Sequence, residues 1–553
     1  MVSKLSQPGI YLPIIIPSYY GHENGEDGRL EQHYWVQLLS PVFLALRSVA
    51  QEAARKLNIR LDVEFYEERL QTGDEYLQEI VRRTRGGDAV LAFISCRSME
   101  LSRGIDIARR LRAAGVSVVM GGPGVTLSDV KTYRHIHASG ICFNVGEGES
   151  TIPIILKDFL DGGLHPCYAQ EGYCDLAAAP MPSHPLPREL RGAVGGYIGL
   201  STSEGCPFDC PYCSEWVLRG RRPRARDAYA VADWVERAYK TFGYYRFFIT
   251  DDNFRRSPKY HQTVDLLTGL NERLGGILRF MVQLDVKNVT AEIPALAAMG
   301  VKRVFVGMES LDPEVVHKTL GKTQNDPSLY AATVQAFHSK GILVDTGWMV
   351  GFPRQTPEMV LDEAERVARI ADFAYPFFVT PLQGTLDHAK AVGDGTLRTW
   401  DPNDYTTRQP VRDWFERASM EGMREAYNQA FFRVFSLRNV PGSGAPGLRW
   451  DRFLLRLFAR TLAESGRILR GAPFHYMMEG WPRPSRVFRP ADSFRGIPLE
   501  PQDVQPGRKE AFLRSLGARF SAGLALLPDA APRAGPGSRS PEDRGQTTCS
   551  NAH

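Results

Sequence analysis

Cysteine is scarce in this 553-residue chain: eight in all, at positions 96, 142, 167, 174, 206, 210, 213 and 549. A secreted domain stapled by disulfides would carry more of them, more evenly spread. Charge of one sign is lacking too, since 67 Lys and Arg stand against 63 Asp and Glu for a net +4. Nothing in that balance calls for nucleic acid or an anionic membrane as partner. No apolar run approaches the roughly 18 residues that a membrane-spanning helix needs. The opening run Ile10–Ile16 is short, contains Pro13 and leads into Ser18-Tyr19-Tyr20-Gly21, so it reads as neither a signal peptide nor a span. A cytoplasmic location is the expectation.

What is present is ordinary globular material, 43% hydrophobic and 24% charged, in a length that suggests about two to four domains. From residue 10 onward, short apolar runs (10–16, 61–65, 89–95, 116–120, 141–145) alternate with helical patterns (41–56, 74–85, 102–114, 128–135). That alternation predicts an α/β domain over 1–165, a doubly wound, Rossmann-like parallel sheet. Ligands on such sheets sit at the carboxyl ends of the strands. There the sequence places Ser95, then Gly121-Gly122, then Gly146-Glu147-Gly148. The same glycines would serve equally as tight turns. A Pro-rich stretch closes this region, and 166–195 is expected to be a connection wrapped over a surface.

From 196 the alternation restarts, with strands expected at 197–201, 246–250, 279–284, 303–306, 343–350 and 377–380. Six strand-helix steps over 196–400 predict a partial (β/α)6 barrel of the TIM type. Beyond it, 401–527 reads as helical, with 420–434 and 453–465 the clearest helices. The tail 528–553 is rich in Pro, Gly, Ser and Arg and is expected to be disordered. Trp400, Trp414, Tyr427, Phe431, Phe432, Tyr476 and Trp481 are expected to build core or cap the barrel mouth.

Three of the eight cysteines fall together in Gly205-Cys206-Pro207-Phe208-Asp209-Cys210-Pro211-Tyr212-Cys213, directly after the first barrel strand. Zinc would want a fourth Cys or His nearby, and the next histidine is His261, the next cysteine Cys549. Thiolates are the ligands of iron–sulfur clusters, and a four-iron cluster normally takes four. Three leave one iron open, an arrangement suited to chemistry.

This spacing resembles the radical S-adenosylmethionine (SAM) superfamily. The resemblance implies a [4Fe–4S] cluster on Cys206, Cys210 and Cys213, with Tyr212 against the adenine of SAM. It further implies that Asp251 and Asp252, ending the second strand, meet the methionine amino group. Glu309 and Ser310, ending the fourth, would meet the ribose or carboxylate. An α/β domain ahead of such a barrel resembles the cobalamin-binding members of the superfamily. By that resemblance Ser95, Gly121, Gly122, Gly146, Glu147 and Gly148 would receive cobalamin. The Asp-x-His-x-x-Gly cobalt-ligand motif is absent; Tyr20-Gly21-His22-Glu23-Asn24-Gly25 keeps only its histidine and glycine, and His22 is more simply a loop residue. No cysteine between Cys213 and Cys549 leaves auxiliary clusters without ligands, and Cys96, Cys142, Cys167 and Cys174 read as structural.

The resulting expectation is a radical SAM enzyme, cobalamin-dependent, that methylates an unactivated carbon of a small metabolite, lipid or peptide intermediate. An external electron donor such as flavodoxin or ferredoxin would serve it. Alternatives are a radical ring-forming or rearranging enzyme, and a nucleic-acid modifying or binding protein acting through Arg219, Arg221, Arg222, Arg224 and Arg226. That arginine stretch lacks interleaved aromatics and is read as solvated or cofactor-facing. Asp387-His388 is a further substrate-facing possibility; no catalytic residue is assigned.

Overall fold

The computed structural model describes residues 9–23, 26–30, 38–70, 73–191, 196–399, 401–434, 504–505 and 507–521. The side chains of His22 and Phe432 lie outside the described set. So do Trp400, Tyr476, Trp481, Cys549, the helix expected at 453–465 and the tail expected at 528–553.

The N-terminal sheet has seven strands, in the order Arg60–Glu67, Gly9–Ile16, Ala89–Ser95, Ser117–Gly121, Cys142–Val145, Cys167–Gln170, Arg519–Ser521. Every pairing in it is parallel. Helices on both faces explain why the strands read as continuous apolar runs instead of alternating ones. Tyr11, Ile15, Ala92, Ile94, Val118 and Met120 join one core. Their neighbours Ile10, Leu12, Ile14, Leu91, Phe93 and Val119 join the core on the other face, as the two-residue period of a strand dictates. The chain steps from Gly9–Ile16 to one side, then returns to continue on the other. That reversal of direction opens a crevice at the carboxyl ends of the central strands.

Two strands of this sheet escape sequence reading. Cys167–Gln170 falls in the expected connection; four residues, Cys-Tyr-Ala-Gln, carry too little apolar signal to announce a strand. Arg519–Ser521 comes from the C-terminal region and pairs with it, so strands do not stop at 400 and the C-terminal segment returns to the first domain. The helix Arg508–Ser515 comes with it, burying Leu513 in the same core.

The second sheet has six parallel strands in chain order: Ile198–Leu200, Arg246–Ile249, Arg279–Leu284, Val301–Glu309, Leu343–Val350 and Phe373–Phe378. Its two edge strands do not pair, so the sheet is open, as the expected partial barrel would be. The last strand begins four residues earlier than the sequence suggests, because Pro376 reads as a strand breaker. As an edge strand it needs no ladder donor on its outer side, and proline is tolerated there. Phe280, Val282 and Leu284 are buried beneath the helices, while Met281 and Gln283 between them are half-open toward the concave face. That concave face and its carboxyl rim carry the site.

The Pro-rich connection is an internal seam. Arg47, from the helix Pro41–Lys56, donates to Ser183 Oγ at 2.7 Å and to the His184 carbonyl at 2.7 Å, and pairs with Glu189 at 2.5 Å. From the barrel side, Trp234 stacks on His184 at 4.4 Å and donates through Nε1 to the Pro182 carbonyl. The prolines present carbonyls without competing donors, and both domains use them.

Candidate functional site

The cysteine loop is held in place at both ends. Gly205 has φ +95°, and a Cβ there would lie 3.0 Å from the Gly220 carbonyl and 3.1 Å from that of Arg219, so only glycine lets the chain turn into Cys206. Cys206 N donates to Gly220 O at 3.1 Å. Just before the turn, Ser203–Glu204 pairs antiparallel with Arg224–Ala225. At the far end Trp216 Nε1 donates to the Cys210 carbonyl at 3.0 Å, and Asp387 N to that of Pro211 at 3.1 Å.

Burial pushes the Cys206 thiol up to about 11 and raises Cys210 and Cys213 as well. Thiols held neutral in this way need a strong positive partner to become ligands. Among the described residues no three His, Cys, Asp or Glu side chains gather as a single-ion site. Three soft thiol donors on one fixed loop without convergent oxygen or nitrogen donors suit an iron–sulfur cluster, whose cysteines bind separate irons, better than one zinc ion.

Beside the thiols lies a group the sequence did not reveal. Lys322, 9% exposed, pairs with Glu309 at 2.6 Å and donates to the Gly307 carbonyl at 3.0 Å. Its charge opposes the rise of the Cys206 and Cys210 thiols. Gln324 Nε2 points to Cys210 Sγ at 3.9 Å. A register shift between Gly307 and Glu309 and a φ of +65° at Glu309 re-aim this glutamate toward Lys322 and the largely buried Tyr212. A strand irregularity and a non-glycine residue in the left-handed region both carry a cost and both concentrate at functional sites. Tyr212 and Trp414 both pack against the cluster of Leu320, Met349, Phe352 and Val379.

A second group lines a cavity of about 320 Å³ between the two sheets. Ser95, Gly121, Gly122, Gly146, Glu147 and Gly148 line it from the first domain, and Asp252, Glu215, Glu204, Arg219 and Arg226 from the barrel. Val42, Ala45, Leu46, Phe93, Val119 and Ile152 form its apolar slot. A Cβ on Gly148 would stand 3.0 Å from Ile152 and 3.1 Å from Leu46, the slot's own walls. At its rim Asn144 is buried with Nδ2 on the Gly146 carbonyl and Oδ1 without a partner. A buried acceptor left open on a cavity wall costs about 1–3 kcal/mol unless a ligand meets it. Enclosure and the neighbouring Glu215 push the Asp252 carboxyl up.

Several expected contacts are used otherwise. Asp251 is turned away from the cavity: it accepts from Thr202 N at 2.7 Å, Thr202 Oγ1 at 2.6 Å and Ser203 Oγ at 2.5 Å, and so fastens the base of the cysteine loop. Ser310 donates to Glu363 at 2.6 Å on the rim's outer side. Glu147 spends its carboxylate on Arg224 at 2.5 Å, on Cys174 N at 2.9 Å and on Gln170 Nε2 at 3.1 Å. It therefore ties the first domain's glycine loop to the strand that braces the cysteine loop. Arg219 pairs with Glu204 at 2.9 Å, and Arg226 donates to the Ser201 and Pro180 carbonyls. Three of the five arginines thus turn inward, and the nucleic-acid reading of that stretch loses its basis. Asp387 is taken by Arg412 at 2.7 Å; His388 is fully buried, and neither lines the cavity.

Glu147→Leu is expected to destabilise the chain by about 3–5 kcal/mol, the cost of leaving one member of a buried pair alone. Adding Arg224→Met should recover part of that loss, because removing both charges costs less than breaking the pair. Urea unfolding of the single and double variants measures this.

Residues 200–367 match the Radical SAM superfamily. This stretch is a radical SAM domain. Such a domain uses a [4Fe–4S] cluster and SAM, and the cysteine loop stands at its start. The chain is 26% identical over 344 residues to an uncharacterised methyltransferase of Pyrococcus horikoshii, covering 58% of this chain and 73% of that protein. It is 26% identical over 298 residues to the hopanoid C-2 methylase of Rhodopseudomonas palustris, covering 51% of this chain and 54% of that one. In fold it is similar to the radical SAM methyltransferase TsrM of Kitasatospora setae, solved with cobalamin and a [4Fe–4S] cluster bound. There the TM-score is 0.55 at 16% identity, over 77% of this chain and 85% of that one. The chain thus carries a radical SAM domain, and its relatives include methyltransferases. Among the described residues no helix is long and apolar enough to cross a membrane.

Proposed function

We propose that this enzyme is a cobalamin-dependent radical methyltransferase acting on an unactivated carbon of a small molecule. The observation that carries the reading is the single cavity joining the glycine-rich carboxyl ends of the first sheet to Asp252 and Glu215 beside the cysteine loop. In this reading Cys206, Cys210 and Cys213 hold the cluster, and Tyr212, Asp252, Glu309 and Lys322 surround SAM. The slot from Val42 to Ile152, with Ser95, Asn144 and the glycines of 121–122 and 146–148, receives cobalamin.

When bound, the cluster and SAM supply a hydrogen-abstracting radical and cobalamin supplies the methyl group. The chain's own residues do the rest. Lys322 holds the Glu309 carboxylate in its re-aimed position. Asp252 and Glu215 share a carboxyl pair at the cavity's barrel end, able to accept hydrogen bonds from a ligand's ammonium group. The Glu147–Arg224 pair keeps the two domains in register across the cavity, so that reacting groups meet at fixed distance, an important source of such an enzyme's rate advantage. Trp414, Phe352 and Met349 keep water from the Tyr212 side.

The test uses anaerobically reconstituted chain with iron, sulfide, hydroxocobalamin, SAM and dithionite. The expected result is corrin absorbance that co-elutes with the protein, and formation of both 5′-deoxyadenosine and S-adenosylhomocysteine. A ring-forming or rearranging radical enzyme gives 5′-deoxyadenosine without S-adenosylhomocysteine. That outcome, or protein that elutes free of corrin, overturns methyl transfer while leaving the radical domain intact.

A further inference from the structure

The cysteine loop is covered on three sides. Leu127 of the first domain packs against Trp216, Val217 and Cys213, the helix Leu386–Gly393 meets Pro211, and Lys322 lies over the thiols. The remaining side is different. Pro207 and Phe208, directly after Cys206, line a shallow surface cleft of about 200 Å³ together with Arg255, Arg256, Lys287 and Asn288. Arg256 lies over the Phe208 ring, 5.4 Å from its centre. Arg221, exposed, adds its guanidinium at the same edge through the Pro207 carbonyl and Asp209. Asp285, buried, sits beneath Arg255 and Arg256 at 3.5 and 2.8 Å, and Asp209 is the other carboxylate nearby. Four cations therefore frame a half-buried aromatic, against two carboxylates, in a chain whose overall charge is +4.

We propose that this cleft is the docking surface for an acidic one-electron carrier protein. The proposal rests on the radical SAM reading of the site, which requires an electron from outside the chain. The carrier gives one electron to the oxidised cluster and is itself oxidised by one; no bond or proton changes at the surface. Two features select this side. Phe208 lies two residues from both Cys206 and Cys210, so a donor seated here is separated from the thiols by a single turn of chain. The opposite approach, through the cavity, is too small for a protein partner, at about 320 Å³ between the two sheets. A basic rim raises the association rate of such a partner, and the effect falls with salt. The cleft's small size suits a transient redox encounter, which buries less surface than a stable complex.

The test compares reduced flavodoxin with dithionite as electron source for the reconstituted holoenzyme, reading 5′-deoxyadenosine. The variant is Arg221→Glu with Lys287→Glu, two exposed side chains outside the cluster and SAM groups. Flavodoxin-driven turnover at low salt should fall about tenfold or more and lose its salt dependence. Dithionite-driven turnover and iron content should stay within about twofold of the parent. Unchanged flavodoxin-driven turnover overturns the proposal, as does an equal fall with both reductants, which would make these residues structural. Salt-sensitive RNA binding that the variant loses, with flavodoxin turnover intact, would also overturn it. If dithionite drives no SAM cleavage in the parent enzyme, the radical reading itself fails, a result distinct from any of these.

Discussion

Cys206→Ala is expected to empty the cluster site. Iron in the reconstituted protein should drop from about four per chain to below about one, the visible absorbance of the cluster should disappear, and reductive cleavage of SAM should fall by a factor of about 10³ or more. The reason is stoichiometric. Three thiols serve three irons, and no other cysteine lies between 213 and 549 to substitute. Cys206 also stands where Gly205 turns the chain, with its amide fixed on Gly220, so the loop cannot slide another ligand into place. The fold should survive, since the loop's anchors at Asp251, Gly220 and Trp216 do not use the thiol. Circular dichroism and the urea midpoint of the apo-protein check that point. A variant that keeps its iron and its SAM cleavage would remove the cysteine loop from the mechanism.

Ala45→Trp separates the two proposed cofactors. Ala45 lines the apolar slot from the helix Pro41–Lys56 and is half-buried, so an indole would grow into the slot and not into the sheet core. Cobalamin affinity should fall by about a hundredfold or more, because overpacking in a confined pocket costs roughly 1–3 kcal/mol and displaces the ligand as well. Cluster iron and dithionite-driven 5′-deoxyadenosine formation should persist, while S-adenosylhomocysteine formation should be lost. If corrin binds the variant as tightly as the parent, the slot is not its site. The two variants fail in opposite directions: Cys206→Ala loses both SAM products, and Ala45→Trp loses only the methyl-transfer product.

Much of the architecture is legible in the chain. The helix Pro41–Lys56 lies where the periodicity places it, as do the strands Ala89–Ser95, Arg279–Leu284 and Leu343–Val350. These elements have long apolar patterns bounded by turn residues, and local preference agrees with the tertiary fold. The misses share a cause. Cys167–Gln170 and Arg519–Ser521 are short and weakly apolar, and exist as strands because a neighbouring edge offers them hydrogen bonds. Phe373–Phe378 hides behind Pro376, whose missing donor matters only in a central strand.

The site divides along the same line. The three cysteines and their turn glycine are a local feature, complete within nine residues, and could be read directly. Asp251 and Asp252 are adjacent and alike in sequence, yet one braces the loop through Thr202 and Ser203 and the other opens into the cavity. Successive residues leaving a strand end point in different directions, and nothing in the pair of letters says which goes where. Glu147 was legible as part of a glycine-rich strand end but not as an ion pair, because its partner Arg224 lies 77 positions away. Lys322 and Gln324 carry no motif, and their place beside the thiols follows from where the chain runs after the fourth barrel strand.

By itself, then, the sequence determined two parallel α/β units and one cysteine triplet after the first strand of the second, because spacing and hydrophobic period are local properties. Only the tertiary structure decided which carboxylates face a ligand and which hold the scaffold. It also decided that the two units share one cavity, and that the outer side of the cysteine loop is basic. Those are statements about residues far apart in the chain whose charges and burial are set by what folds against them.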